Sequence, residues 1–256
     1  MPKAPKLVFV QAGDDPASAS YVKSKGRLAK RAGVRHETLV LDETVTQGEL
    51  MELIATLNAD PDVDGILVQL PLYGHLDPTP VLDAIDPDKD VDGFHPVNVG
   101  RLWSGRPFLV PATPAGLMRI LEHYQFDVEG RDVVIVGRSN LVGKPAAAML
   151  LARHATVTLA HSRTRDLAAL CRRADMIVAA AGRPGMIVPA MVRAGAILLD
   201  VGQSSVAGAL RGDVAPEVAE VAGAMTPTPG GTGPMTVAMV VANTVKAAAA
   251  RQETGA

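Results

Sequence analysis

The sequence predicts an α/β fold organised in two lobes, and three observations support this prediction. Short apolar runs of strand length alternate with segments of helical period along most of the chain. In the clearest example, the β-branched run 133–136 leads through Gly137 into an Ala-rich helix at 146–151. The length of 256 residues suits one large or two small domains. Such alternation favours a parallel sheet with right-handed crossovers.

The first lobe follows from its apolar runs and its helix-capping residues. Its strands are predicted at residues 7–10, 37–41 and 65–70. Three helix starts carry capping signals, and these are Asp15 with Pro16, Thr46 with Glu49 in a capping box, and Asp77 with Pro78. We expect the first helix to continue to about residue 31, where Gly33 provides a stop signal.

Three polar side chains of this lobe are candidate functional residues. Tyr21 and Lys25 lie four residues apart, so they share a face of the first helix. Such a pair can handle protons beside a cleft, although the spacing alone favours an ordinary amphipathic face with a snorkelling lysine. Gln69 is the polar member of a buried strand and lies at its carboxyl end, where open α/β sheets bind ligands. A core glutamine with satisfied hydrogen bonds is an equally good interpretation.

Residues 88–102 read DKDVDGFHPVNVGRL and show neither helical nor strand period, so we predict an irregular segment. Long irregular segments between ordered elements are often functional. Three acids two apart suggest a cation loop, but the missing EF-hand glutamate argues against calcium. His75, His95 and His161 are not spaced as a ligand set, and no metal site is predicted.

The second lobe is predicted to begin at Thr113 and Pro114, an N-cap pair that opens a helix. Strands are then expected at 156–161, 175–180 and 197–201, with a helix at 189–194. Residues 225–235 read MTPTPGGTGPM, a turn that lets the backbone approach a ligand closely. Pro234 is predicted to open the last helix, which runs to about residue 252.

The turn after residues 133–136 indicates a nucleotide site. A glycine turn between a strand and a helix exposes backbone N–H groups at the helix N-terminus, where a pyrophosphate can bind. Gly143 follows Gly137 at a suitable distance along the chain. Ser139 stands where the second glycine of the G-x-G-x-x-G pattern would be, so the pattern alone is a weak signal.

The next strand indicates which nucleotide to expect. Folds that prefer NAD place an acid at its end, ~20 residues on, to bind the ribose hydroxyls. Here that strand is followed by Ser162, Arg163, Thr164 and Arg165, with no acid until residue 166. Together with Arg138 these groups suit a 2′-phosphate, so we predict NADP rather than NAD. Solvated surface arginines are the alternative.

The composition excludes several classes of protein. Hydrophobic residues make up 48% and charged residues 20%, as in soluble globular proteins. A formal net charge of -2 gives no support to nucleic-acid or membrane-surface binding. The sequence has no apolar run of membrane-spanning length, and its first apolar run is too short for a signal peptide. Cys171 is the single cysteine, which favours a reducing, cytoplasmic compartment.

Five blocks in order resemble one known family. They are YVKSK at 21–25, ILVQLPL at 66–72, KDVDGFHPVNVGRL at 89–102, GRSNLVGKP at 137–145 and PGGTGPMTVA at 229–238. Over nearly its whole length the chain is similar to the bifunctional methylenetetrahydrofolate dehydrogenase/methenyltetrahydrofolate cyclohydrolase family. The resemblance implies oxidation of methylenetetrahydrofolate by NADP to methenyltetrahydrofolate, which water then opens to 10-formyltetrahydrofolate.

The resemblance also implies an architecture. It places residues 1–112 with 236–256 in a folate-binding α/β lobe and residues 113–235 in a Rossmann-type NADP domain, with the active cleft between the lobes. It further implies a homodimer.

Single residues receive roles by the same resemblance. Lys25 matches the catalytic lysine, whose neutral amine takes or relays a proton from the attacking water, and Gln69 matches the glutamine that orients it. Tyr21 matches the tyrosine that steadies the folate ring, and Asp92 the aspartate that accepts hydrogen bonds from the pterin. The other matched residues are Pro229, Gly230 and Gly231 beside the folate, and Gly137, Arg138, Ser139, Val142, Gly143, Ser162 and Arg163 at the cofactor.

One departure from the family leaves two alternatives open. The family usually has a short strand and a helix before the strand at 7–10, and without them we expect a looser first lobe. A dehydrogenase with weak cyclohydrolase activity is therefore one alternative, and a folate- or NADP-binding protein without turnover is the other. The presence of Lys25, Gln69 and Asp92 argues against a binding protein. A dehydrogenase of shikimate-type acids would not explain the blocks at 89–102 and 229–238.

Overall fold

The computed structural model describes residues 3–206 and 208–254. The chain divides into two compact units, unit 1 (Met1–Ala112 and Val237–Ala256) and unit 2 (Thr113–Thr236). Each unit has its own parallel sheet with helices, which confirms the predicted α/β fold class.

The elements alternate along the chain as the apolar pattern predicts. The strands are β1 (Lys6–Gln11), β2 (Arg35–Val40), β3 (Gly65–Gln69), β4 (Asp132–Val136), β5 (Thr156–Ala160), β6 (Met176–Ala179), β7 (Ile197–Asp200), β8 (Ser204–Val206), β9 (Ala209–Arg211) and β10 (Ala224–Met225). The helices are α1 (Pro16–Arg31), α2 (Gln47–Ala59), α3 (Pro78–Asp83), α4 (Pro96–Trp103), α5 (Ala112–His123), α6 (Gly143–Leu151), α7 (Leu167–Arg173) and α8 (Thr232–Thr254).

Unit 1 contains a three-stranded parallel sheet in the order β2-β1-β3, with apolar clusters on both faces. Successive side chains of a strand point to opposite faces, so neighbouring residues of β1 enter different clusters. Val8 belongs to a cluster that includes Ile54 of α2. Phe9 belongs to another, which includes Val22 of α1 and Val240 of α8. The sheet therefore fixes α1 and α2 on its two sides, with the carboxyl ends of β1 and β3 adjacent.

Unit 2 contains a five-stranded parallel sheet in the order β10-β7-β6-β4-β5. The chain passes from β4 to β5 on one side and then returns to β6 on the other. The carboxyl ends of β4 and β6 therefore form a topological switch point, the place where doubly wound sheets bind ligands. One face packs Ile135 in a cluster with Leu121 and Leu150, and the other packs Val134 with Cys171.

The three capping signals predicted in the first lobe are confirmed. The Asp15 carboxylate accepts a hydrogen bond from the backbone N–H of Ser18 at 2.7 Å and begins α1. Thr46 and Glu49 form the reciprocal capping box of α2. Asp77 caps α3. These local interactions explain why the starts of these helices could be read from single residues.

Several predicted boundaries are wrong. Residues 96–102 of the segment predicted as irregular belong to α4, which the His95 ring caps by accepting from the Val97 N–H. An eight-residue helix has too few turns for its period to stand out. α5 begins at Ala112, so Thr113 lies inside the helix, and α8 begins two residues before Pro234. The helix predicted at 189–194 is only a 3-10 turn at Pro189–Met191.

Candidate active site

The three candidate residues of the first lobe, which are Tyr21, Lys25 and Gln69, lie close together in unit 1. This lysine side chain is only 4% exposed. Its Nζ donates to Gln69 Oε1 at 3.2 Å and lies 5.1 Å from the centre of the Tyr21 ring. Gln69 Nε2 in turn donates to the carbonyl oxygen of Leu70 at 2.7 Å, which fixes the amide so that its oxygen faces the amine.

The start of α1 is attached to the chain that follows β3. The Ser18 hydroxyl donates to the carbonyl oxygen of Leu70 at 3.1 Å. A Cβ added at Gly13 would lie 2.6 Å from the Pro71 carbonyl oxygen, so only glycine allows this approach. Because Lys25 is on α1 and Gln69 ends β3, this junction sets the distance between their polar atoms.

Lys25 and Asp92 form the electrostatic centre of the site. Burial lowers the pKa of the Lys25 amine below its ordinary value, and the negative charge of Asp92 opposes this only partly. Burial raises the pKa of the Asp92 carboxyl, although Lys25 acts in the opposite direction. A buried amine that deprotonates more easily than usual is a better general base than an exposed lysine.

Other polar residues of the segment 89–95 have structural roles that the sequence did not reveal. Lys89 is buried, and its Nζ donates to three carbonyl oxygens at the end of α2, those of Leu57, Asn58 and Asp60. The buried Asp90 carboxylate accepts from three donors, which are Gly93 N–H, His95 N–H and Asn98 Nδ2. Asp92 is the member of the segment that interacts with Lys25. Nothing in the sequence around Lys89 indicates that this side chain caps the end of α2.

In unit 2 the glycine turn after β4 packs closely against the neighbouring backbone. A Cβ at Gly137 would overlap the carbonyl oxygen of Ala180, and a Cβ at Gly143 would overlap that of Gly137. Glycine at these positions lets α6 begin directly beside the ends of β4 and β6.

The first N–H groups of α6 are bonded within the turn that precedes the helix. The Ser139 hydroxyl accepts from the N–H groups of Val142 (3.0 Å) and Gly143 (3.4 Å), and the Ser139 carbonyl accepts from Lys144 N–H. Pro145 has no N–H. The backbone N–H groups that donate to no group among the described residues belong to the turn itself, at positions 138–141.

The groups predicted to bind a 2′-phosphate lie at the ends of two neighbouring strands. Val136 pairs with Ala160, so the turn with Arg138 lies beside the residues that follow β5. His161 Nδ1 accepts from Arg163 N–H, and Thr164 Oγ1 accepts from His161 N–H, which leaves Ser162 and Arg163 exposed at the tip. Arg138, Arg163 and Arg165 make no ion pair with the rest of residues 3–206 and 208–254.

The glycine turn at 229–231 is held at its base by Asp200, a residue that the sequence analysis did not single out. Gly230 has φ = 100°, which favours glycine, and a Cβ at Gly231 would crowd the Pro227 carbonyl. Thr226 and Thr228 on one side of the turn contact Asp200. Asp200 could have been identified from its position in the sequence, because it is an acid at the end of an otherwise apolar strand.

No group of three His, Cys, Asp or Glu side chains arranged for a metal ion occurs among the described residues. Over the same residues, no helix is both long and apolar enough to cross a membrane.

Comparison with known proteins assigns these two units. The family model "Tetrahydrofolate dehydrogenase/cyclohydrolase, catalytic domain" matches residues 2–92, and the model "Tetrahydrofolate dehydrogenase/cyclohydrolase, NAD(P)-binding domain" matches residues 111–252. The chain belongs to the tetrahydrofolate dehydrogenase/cyclohydrolase family. The match includes Tyr21, Lys25, Gln69 and Asp92 in one domain model and the glycine turn in the other.

Individual relatives support the same assignment. The bifunctional protein FolD of Thermus thermophilus is 56% identical over 248 residues, which cover 97% of this chain and 88% of the relative. The crystal structure of the bifunctional FolD methylenetetrahydrofolate dehydrogenase/cyclohydrolase of Campylobacter jejuni superposes with a TM-score of 0.94 at 46% identity, covering 96% of this chain and 89% of that one. The Trypanosoma brucei FolD, complexed with NADP and an inhibitor, has a TM-score of 0.91 at 37% identity, covering 98% and 88%.

These matches confirm the predicted family and its two activities, dehydrogenase and cyclohydrolase. They also confirm the prediction of a nicotinamide dinucleotide cofactor, since the second model is an NAD(P)-binding domain. The roles given to single residues stay predictions.

Proposed function

We propose that this chain oxidises 5,10-methylenetetrahydrofolate with NADP and hydrolyses the resulting 5,10-methenyltetrahydrofolate to 10-formyltetrahydrofolate, with Lys25 as the central catalytic residue. The observation that carries the proposal is the buried Lys25 amine, which has a lowered pKa and is bonded to Gln69 beside Asp92. This group lies in the part of the chain that matches the catalytic-domain model.

In the hydrolytic step, the neutral Lys25 amine acts as a general base. Water adds to the methenyl carbon, and one of its protons passes to Nζ. The bond between this carbon and N5 then breaks, its electron pair stays on N5, and N5 takes the proton from Lys25. Loss of the remaining hydroxyl proton to solvent gives the formyl group on N10, so one proton is released overall. Because Nζ donates to Gln69 Oε1, the nitrogen lone pair is directed away from the amide.

Tyr21 and Asp92 have binding roles in this proposal. The Tyr21 ring lies beside Nζ and offers an apolar face on which a flat folate ring can stack. Asp92 supplies the acceptor oxygens for the amino edge of the pterin, and its half-buried position makes such bonds stronger than in water. Pro229, Gly230 and Gly231 would also contact the folate in this proposal.

The residues of unit 2 fit a dinucleotide with a 2′-phosphate. The turn at 137–143 is closely packed by Gly137 and Gly143, and the N–H groups at 138–141 have no protein acceptor among the described residues. Arg138, Ser162 and Arg163 would hold the 2′-phosphate, because they are exposed and the strand end carries no carboxylate. NADP supplies the hydride acceptor, so the oxidation needs no protein acid. The residues of the chain bind and orient the two reactants.

We also infer that residues 1–112 with 236–256 form the folate lobe and 113–235 the NADP domain, and that the protein is a cytoplasmic homodimer. The exposed edge strand β2 supports association, because edge strands offer unpaired backbone groups. Val40 on this strand is 67% exposed. The single cysteine is compatible with a reducing compartment. Light scattering of the purified chain would give the mass of a dimer.

The experiment that tests the function follows one reaction at two wavelengths. Purified protein receives methylenetetrahydrofolate with NADP or NAD, and absorbance reports formation of methenyltetrahydrofolate and NADPH, followed by decay of the methenyl compound. We expect an NADP-dependent rise and a decay faster than in buffer, with the accelerated decay lost in Lys25→Met. A rise without accelerated decay would support a dehydrogenase with weak cyclohydrolase activity. No reaction by the folded protein would contradict the proposal and support a binding protein.

A further inference from the structure

Two buried aspartates of unit 2 are not used by the mechanism above. Asp213 is fully buried and Asp200 is 3% exposed. Neither forms an ion pair among residues 3–206 and 208–254, and the donors to both are uncharged backbone N–H groups or a hydroxyl group. Burial of an unpaired carboxylate is costly, so the hydrogen bonds that retain it must be extensive.

Asp213 holds the loop that follows β6. Its Oδ2 accepts from the N–H groups of Ala181 at 2.6 Å and Gly182 at 2.9 Å, and its Oδ1 accepts from Arg183 N–H at 2.6 Å. The peptide before these residues packs directly against Gly137. The loop 181–183 therefore lies at the switch point beside the glycine turn, and one carboxylate sets the direction of three successive N–H groups.

Asp200 connects Asp213 to the turn proposed to border the folate. Its Oδ1 accepts from the N–H groups of Asp213 at 3.0 Å and Gly202 at 3.1 Å. Its Oδ2 accepts from Val214 N–H at 3.1 Å and from the Thr228 hydroxyl at 3.4 Å.

The main chain of Asp200 binds the same turn. Its N–H donates to Thr226 Oγ1 at 2.8 Å, and its carbonyl accepts from Thr232 Oγ1 at 2.9 Å. The threonines of TPTPGGT are thus all bonded to one residue, and Pro229, Gly230 and Gly231 form the tip between them.

The backbone encloses both carboxylates without room for a side chain. A Cβ at Gly202 would overlap the Asp213 carboxylate, and a Cβ at Gly212 would overlap the Asp200 carboxylate. Because of this close packing, each carboxylate oxygen can accept its hydrogen bonds in only one geometry. The loops that donate to the two carboxylates are therefore held in one fixed arrangement.

We propose that Asp213 and Asp200 are positioning residues for the oxidation step, Asp213 by orienting the loop 181–183 at the dinucleotide site and Asp200 by orienting the turn 226–232 at the folate. The proposal rests on the proposed function. It assigns to these two residues no contact with either ligand.

The decisive variant is Asp213→Asn. An asparagine can retain two of the three N–H bonds through its oxygen, but its NH₂ group then faces the third N–H. We expect the dissociation constant for NADP, measured by titration calorimetry, to rise at least tenfold. Hydrolysis of added methenyltetrahydrofolate needs no dinucleotide, and we expect its rate to stay within twofold of the wild type. Asp127→Asn is the matched control, because Asp127 is exposed in the same unit and caps a turn.

A milder pair of variants tests Asp200. Thr228→Val removes one donor to Asp200 Oδ2 while keeping the shape, whereas Thr228→Ser keeps the hydroxyl. We expect Thr228→Val to raise KM for the folate substrate at least threefold, with unchanged NADP affinity, and Thr228→Ser to behave as the wild type. This pair decides the proposal if Asp213→Asn does not fold.

Two results would overturn the proposal while leaving the proposed function in place. One is wild-type NADP affinity in folded Asp213→Asn or, where that variant does not fold, an unchanged KM for the folate substrate in Thr228→Val. The other is a loss of both reactions in proportion to a lowered melting temperature, which would show a merely structural role. An inactive wild-type protein would instead contradict the proposed function itself.

Discussion

Replacement of Gln69 by glutamate tests whether Lys25 is the base of the hydrolytic step. The side chains have nearly the same shape, so the variant keeps the contact with Nζ at 3.2 Å but changes an amide oxygen into a carboxylate oxygen. The wild-type pKa of Lys25 is lowered because burial outweighs the attraction of Asp92. A second negative charge at hydrogen-bond distance favours the protonated amine and raises this pKa.

The size of the effect follows from the distance. Two unit charges 3.2 Å apart attract by about 5 kcal/mol at an effective dielectric constant of about 20. One pKa unit corresponds to about 1.4 kcal/mol, so the upper limit of the shift is roughly four units. Gln69 is half-buried, and water will screen part of this attraction. We therefore expect the pKa of Lys25 to rise by about one to two units, and the hydrolysis rate to fall about 10- to 100-fold at pH values below the wild-type midpoint.

The assay is a pH profile of methenyltetrahydrofolate hydrolysis with the buffer rate subtracted. In Gln69→Glu the midpoint should move to higher pH and the rate should recover in alkaline buffer. Gln69→Met is the matched control, because it removes the acceptor without adding charge, so its rate should fall without alkaline recovery. The NADP-dependent oxidation should change less than threefold in the glutamate variant, since it needs no protein base.

An unchanged midpoint in folded Gln69→Glu would refute this reasoning, because the titrating group would then not be the amine bonded to residue 69. Equal losses in the glutamate and methionine variants at every pH would also refute it, since a geometric role alone would explain both.

Three further predictions concern other parts of the molecule. Lys25→Met should have a higher melting temperature than the wild type at pH 7. The pKa of Lys25 is lower in the folded protein than its ordinary value of 10.5, so the stability of the wild type rises with pH up to 10.5. The difference in melting temperature between the two proteins should therefore close by about pH 10. Arg138→Ala should raise KM for NADP at least tenfold in steady-state assays and leave KM for NAD nearly unchanged, because only NADP carries the 2′-phosphate. Lys89→Met should lower the free energy of unfolding in urea by about 2–4 kcal/mol, since three carbonyl oxygens at the end of α2 lose their donor. As a control, Lys23→Met at an exposed position should change this free energy by less than about 0.5 kcal/mol.

The sequence predicted those features that depend on neighbouring residues. The strands β1, β3 and β4 are continuous apolar runs, and the caps at Asp15 and Thr46 act within three residues. The contact between Tyr21 and Lys25 follows from helical spacing. The contact between Lys25 and Gln69 joins residues 44 positions apart, and only the resemblance to a family indicated it.

Interactions between distant segments were beyond sequence reasoning. Nothing local connects Asp213 with the loop 181–183, which lies about 30 residues earlier. The short hairpin β8–β9 is mostly exposed and has no apolar alternation, so it gave no strand signal. The N–H groups at the start of α6 were expected to be available, because a serine in the turn shows no sequence sign of which way its hydroxyl points.

The Ser139 hydroxyl has a consequence for the kinetics of cofactor binding. It accepts from the N–H groups of Val142 and Gly143, so the chain's own hydrogen bonds hold the shape of the turn. A turn that is already ordered loses little conformational entropy on association. The association rate should then be set by diffusion and long-range attraction to the exposed arginines, and it should fall as the ionic strength increases. If binding required a rearrangement of the loop, the observed association rate would saturate at high cofactor concentration. A preformed turn instead gives an observed rate that increases linearly with cofactor concentration.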